Sequence, residues 1–187
     1  MSSRRVDLRP VEGSDLEHLR RLELSEPLTF RWRLRGAHPH PSEYQAGAWA
    51  SVLCQFLAID RELNTPVGLV VAYEPDLLNG HCKIAATRFE FTRSSGVLLG
   101  ATALLIEHVF AGWPFRKLYF DVPAFNLSQF RSATNELLRE EARFEEYLYM
   151  AGRFWDLHVL SIGREHWMDK RKRWMEFVGR DPEGALK

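Results

Sequence analysis

The sequence predicts an α+β domain, a mixed and mostly antiparallel sheet of about seven strands with helices against it. Three observations carry this. Short runs rich in β-branched and aromatic residues recur along the chain. Two gaps between them, Asn64-Thr65-Pro66 and Ala151-Gly152, are hairpin turns. One further pair of strand runs brackets a helix-length apolar run, Val97–Gly112. Hairpins make antiparallel neighbours and a strand–helix–strand unit makes parallel ones, so both pairings meet in one sheet.

Val6–Val11 reads as the first strand, stopped by Glu12-Gly13. Ser14 or Asp15 then caps a helix, because a side-chain oxygen there accepts a bond from an otherwise orphaned backbone N–H. Leu16, Leu19, Leu22 and Leu24 give that helix its apolar stripe. Ser25–Pro41 is irregular, broken by Pro27, Gly36, Pro39 and Pro41. Ser42-Glu43-Tyr44-Gln45 has capping-box form and opens a second helix running to about Val52. Phe56–Asp60 and Val67–Tyr73 form a hairpin, and His81–Thr92 is a longer third partner. A polar turn, Thr92-Arg93-Ser94-Ser95-Gly96, leads into the apolar helix, where Leu98, Ala101, Leu105 and Val109 recur at helical spacing. Lys117–Val122 is a compact strand and Asn126–Arg139 a helix with Leu127, Phe130, Leu137 and Leu138 on one side. Arg143–Met150 and Trp155–Ile162 close the sheet, Trp167–Val178 is a basic helix, and the tail from Gly179 is loose.

Composition narrows the function. The 187 residues form a single domain on length grounds, and 45% hydrophobic with 27% charged residues is ordinary for a globular chain. Lys plus Arg and Asp plus Glu are both 25, which removes a charge-driven affinity for nucleic acid or for an anionic membrane. There is no signal-peptide run at the start and no apolar run near the roughly 20 residues that span a bilayer, so the expected location is cytoplasmic. Cys54 and Cys82 stand in no metal or redox spacing, and His38-Pro39-His40 lacks a third partner, so no metal is expected.

A strand, a polar Gly-containing turn and a helix make a phosphate-binding arrangement. The first N–H groups of the helix have no intrahelical acceptor and carry the positive end of its dipole. Arg93 adds charge there, Ser94 and Ser95 add hydroxyl donors, and Gly96 allows close backbone approach.

Four segments carry a resemblance by their order and spacing. They are Val6-Asp7-Leu8-Arg9-Pro10-Val11 before a Ser- or Asp-led helix, Ser95-Gly96-Val97-Leu98-Leu99-Gly100-Ala101, Leu118-Tyr119-Phe120-Asp121-Val122 followed by Asn126-Leu127-Ser128, and Gly152-Arg153-Phe154-Trp155-Asp156. Over about residues 6–168 the chain resembles the GNAT acyltransferase superfamily, and within it the ribosomal-protein N-terminal-acetyltransferase (Rim-type) branch. The resemblance implies a GNAT-like sheet and an acyl-CoA-dependent N-acyltransferase. Acetyl-CoA or another acyl-CoA would be the co-substrate, and the acceptor an amine of a small molecule or a polypeptide N-terminus. It places the pyrophosphate on Arg93, Ser94, Ser95, Gly96, Val97, Leu98, Gly100 and Ala101. The pantetheine arm would lie on the strand around Phe89 and Phe91, with Asn126 completing the cofactor side. Ser128 is the implied acid, Glu90 the candidate base, and Phe30, Trp32, Tyr44, Tyr147 and Tyr149 the acceptor-lining candidates. A homodimer is left open. Leu98 stands where the family has the central Gly of its loop, which opens a second reading: a catalytically degenerate GNAT-shaped binding or scaffold protein.

Overall fold

The computed structural model describes residues 1–3, 5–25, 34, 36–89, 95–130 and 136–179. Seven strands form one sheet in the order β1-β2-β3-β4-β5-β7-β6. They are β1 (Val6–Pro10), β2 (Val52–Asp60), β3 (Thr65–Asp76), β4 (His81–Arg88), β5 (Lys117–Pro123), β6 (Arg139–Met150) and β7 (Arg153–Gly163). Neighbours are antiparallel except β4 and β5, the pair joined through a helix. Among the described residues the α-helices are α1 (Leu16–Leu24), α2 (Pro41–Gly47), α3 (Ser95–Gly112) and α4 (Arg164–Val178).

Local chemistry sets the turns. Asn64 ends the β2–β3 turn with φ +51°, a left-handed conformation that Asn tolerates, and Asp60 Oδ1 accepts the N–H groups of Glu62 and Leu63. Ala151 and Gly152 both have positive φ, which matches the twist of the hairpin strands they join.

Alternation along the strands feeds two cores. On one face Val70, Ala72, Cys82, Ile84, Leu118, Phe120, Leu160 and Ile162 pack against α3 and α4. On the other, Leu57, Leu69, Val71 and Phe89 meet Leu16 and Leu19 of α1 and Tyr44 of α2. Helix α3 is apolar nearly all round because sheet and α4 both bury it. Gly100 lets them close in: a Cβ there would stand 2.7 Å from Val178 Cγ1 and 3.3 Å from Val6 Cγ1. Trp167 of α4 donates its indole N–H to Glu107 Oε2 of α3 at 2.7 Å.

Several boundaries differ from expectation. Helix α2 is capped by the His40 ring, which accepts the Ser42 N–H, while Glu43 returns to the His40 N–H; Pro41 takes the first helical position. Its end at Gly47 frees Val52 to open β2. The expected helix over 126–139 is not seen in the described part of that segment. Ala124–Phe130 is a 3-10 turn and Arg139 already begins β6, with 131–135 outside the described residues. Leu127, Phe130, Leu137 and Leu138 do reach the main core, but from a turn and a strand lead-in. β7 starts at Arg153 and α4 at Arg164, both earlier than expected. The expected strand 81–92 is described as far as Arg88, and the tail lies outside the described residues from Arg180.

Burial pushes the Cys54 thiol up to about 11 and the Cys82 thiol up to about 12. An unfolded thiol ionises near 8.5. Above that value the unfolded chain releases protons that the folded chain keeps, so stability falls as pH climbs from about 9 toward 11. Urea melts across this window are expected to show a shallower loss for Cys82→Ala than for the parent. Equal slopes would mean that the thiols do not drive it.

Candidate functional site

The parallel pair β4 and β5 is a fork. It is paired at His81↔Lys117, Cys82↔Leu118 and Lys83↔Tyr119, and no further. Beyond Lys83, β4 runs on to Arg88 along β3, while β5 runs on to Pro123 along β7. From Ile84 to Thr87 no described strand pairs with the β4 edge that faces β5. Such an edge presents backbone N–H and C=O groups to whatever enters the fork.

Both prongs end in residues singled out in the sequence. On the β4 side, Phe89 is buried in the second core and donates its N–H to Val67 O at 3.0 Å. Glu90, Phe91, Arg93 and Ser94 lie outside the described residues. Helix α3 then begins at Ser95. Gly96 sits in its first turn, where a Cβ would meet no described atom within 4 Å. Among the described residues nothing stands where a side chain at Gly96 would project, and the first N–H groups of α3 lie at this end of the helix.

Leu98 does not close this end. Its Cδ1 lies 2.8 Å from where a Cβ on Gly68 would be, so its side chain is socketed against β3 at Gly68. Val97 and Ala101 are buried in the main core, and the room that Gly100 leaves is taken by Val178 and Val6. Of the expected pyrophosphate residues, the described ones at the helix tip and outside the buried core are thus Ser95 and Gly96.

On the β5 side, the turn Ala124–Phe130 carries Asn126, half-buried, and Ser128, exposed. Phe125 anchors it edge-on to Trp155 of β7, ring centres 4.9 Å apart, and the Arg153 guanidinium covers the same indole at 3.4 Å. The fold therefore brings the α3 tip and the Asn126–Ser128 turn to the C-terminal ends of the two prongs.

The acceptor candidates separate. Tyr44 is only 4% exposed and donates its hydroxyl to Glu23 Oε1 at 2.8 Å, joining α2 to α1. Tyr147 and Tyr149 of β6 are well exposed, in ring contact with Phe144 and Phe154. Phe30 and Trp32 lie outside the described residues.

Sequence reasoning missed an ion cluster at the root of the fork. Lys83 Nζ lies 2.9 Å from Glu74 Oε2 of β3 and 2.9 Å from Asp121 Oδ2 of β5. Partial burial works to lower the Lys83 pKa, but hydrogen bonds to Asp121 and Glu74 outweigh it, and the ammonium holds its proton more firmly than an ordinary lysine. Asp121 stood in a quoted strand motif, yet nothing local linked it to Lys83. Gly68 was missed too, although a Gly inside a strand signals a close approach. Among the described residues no group of three or more His, Cys, Asp or Glu could hold a metal ion, and no helix is long and apolar enough to cross a membrane.

No protein-family model matches the chain, and no curated protein matches its sequence. Solved structures do match. The spermidine N-acetyltransferase of Vibrio cholerae, in complex with CoA and spermine, superposes with a TM-score of 0.75 at 16% identity, covering 88% of this chain and 98% of that one. A GCN5-related N-acetyltransferase from Brucella melitensis gives a TM-score of 0.70 at 19% identity, covering 97% of this chain and 85% of that one. The chain has the GNAT fold.

Proposed function

We propose that the chain is an acyl-CoA-dependent N-acyltransferase, moving an acetyl or other acyl group to an amine. The observation that carries this reading is the β4–β5 fork, with the N-terminus of α3 at one prong and Asn126 and Ser128 at the other. Acyl-CoA supplies the activated acyl group. The α3 tip at Ser95 and Gly96 binds its pyrophosphate, and the open β4 edge lines its pantetheine arm. A backbone N–H of that edge polarises the thioester carbonyl as the amine attacks. Glu90 takes the proton from the amine, and the Ser128 hydroxyl gives a proton to the departing thiolate sulfur.

Two acceptor classes remain in play. The spermine-bound neighbour makes a small-molecule amine the first to screen, and the Rim-type likeness of Asn126-Leu127-Ser128 and Gly152-Arg153 supports a polypeptide N-terminus as the second. A cytoplasmic location belongs to the same proposal.

Calorimetric titration with acetyl-CoA, and with desulfo-CoA as a non-reacting control, tests the reading. Saturable binding is expected, weakened at least about tenfold by Gly96→Glu, which sets a carboxylate where the phosphates would lie. A Cβ at Gly96 meets no described atom within 4 Å, so this variant should fold. A folded parent that binds neither compound would overturn the acyltransferase reading and favour the scaffold one.

A further inference from the structure

The two prongs of the fork need a fixed point of departure. Side by side, open edges of neighbouring strands tend to pair, and a parallel ladder that crept forward would close the gap. Lys83 is the last β4 residue paired with β5, opposite Tyr119. Asp121, its partner at 2.9 Å, lies two residues further on, already on the separated prong. The bridge is therefore diagonal, running from the root of the fork to one arm, and either a slide in register or a change in spread would break it.

Its third member is held as firmly. Glu74 has φ +48°, and its N–H donates at 2.7 Å to the carbonyl of Ser51, itself at φ +55°. Two non-Gly residues in left-handed backbone at one spot persist only where their surroundings fix them. The carboxylate so aimed meets Lys83 at 2.9 Å. Three adjacent strands are thus tied at the root of the fork through one ammonium.

We propose that Lys83 is a positioning residue for the acyl donor: by bridging Glu74 and Asp121 it fixes where β4 and β5 part, and so the width of the opening that receives the pantetheine arm. This inference rests on the acyl-CoA reading of the fork.

The test compares CoA with adenosine 3′,5′-bisphosphate, which has the nucleotide end of CoA but no pantetheine arm. Lys83→Met is expected to weaken CoA binding about fivefold, the scale of a partly exposed ion-pair network, and to leave the bisphosphate unaffected. Lys83→Arg, which keeps a cation with several donors, should restore most of the loss. Asp121→Asn should reproduce the loss, and the double variant Lys83→Met/Asp121→Asn should add little, because one bridge is removed once.

Without ligand, amide exchange in Lys83→Met should quicken along the short β4–β5 ladder, while the β2–β3 and β5–β7 ladders keep their rates. Equal CoA affinity in Lys83→Met and parent would overturn the proposal and leave the acyl-CoA reading standing. So would equal loss for CoA and bisphosphate, or a general rise in exchange, since either marks loss of fold. A folded parent that binds no CoA would overturn both.

Discussion

Arg164→Met is expected to lower stability by about 3 kcal/mol, with a fall in Tm of roughly 6–12 °C for a chain of this size. Arg164 is the first residue of α4, yet its guanidinium serves the other end of the molecule's central helix. Nη1 donates to Phe110 O at 2.5 Å, Nε to Phe115 O at 2.6 Å, and Nη2 to Trp113 O. These carbonyls close the C-terminal end of α3, where orphaned acceptors and the negative end of the helix dipole meet, so a cation is favoured there twice over. The same group lies 5.0 Å from the Phe110 ring centre. Methionine keeps the length and the apolar stem but donates nothing, leaving three carbonyls beside the fully buried Phe115 without that partner. Arg164→Lys should recover only part of the loss, because one ammonium cannot reproduce a planar fork of donors aimed at three acceptors. Urea and thermal unfolding measure both. A Met variant melting within about 2 °C of the parent would mean that water satisfies these carbonyls at little cost.

The strands were legible because a two-residue period, β-branched content and hairpin turns are local signals. Hence all seven were expected in the right order, with ends off by a few residues. The segment 126–139 shows the limit. Leu127, Phe130, Leu137 and Leu138 fall at helical spacing and all reach the core, but periodicity reports burial, not the backbone that delivers it. At α2 the sequence points to Ser42 as the cap, but Pro41 is suited to the first helical position and the cap falls on His40 instead.

The candidate site was legible in part. The turn into α3 and the Asn126–Ser128 segment announce themselves by composition and order. The fork does not, because where two parallel strands stop pairing is a property of both strands and of the layers packed on them. The cluster of Glu74, Lys83 and Asp121 was invisible for the same reason: three ordinary charged residues become a unit only once β3, β4 and β5 are side by side. Leu98 shows the converse. Read alone, a leucine in place of glycine predicts an obstructed phosphate loop. Read with Gly68, it is a knob whose hole is supplied from another strand.

That pairing makes Gly68 the position where the smallest change should do the most damage near the site. Gly68→Ala is expected to cost about 2–3 kcal/mol and to displace the first turn of α3. The added Cβ would stand 2.6 Å from the Thr87 carbonyl oxygen and 2.8 Å from Leu98 Cδ1. A flexible side chain can move aside. The carbonyl cannot easily do so, because it belongs to β4, which pairs with β3 throughout this stretch. Leu98→Ala in the same background removes one of the two collisions and leaves the other. The double variant should therefore be less destabilised than the sum of the two single variants, yet remain below the parent. CoA affinity should fall in Gly68→Ala and partly return in the double variant, since the α3 tip at Ser95 and Gly96 moves with Leu98. Strict additivity of stability would show that Leu98 and Gly68 do not form a knob and its hole, and an unchanged CoA affinity in Gly68→Ala would show that the tip is positioned by something else.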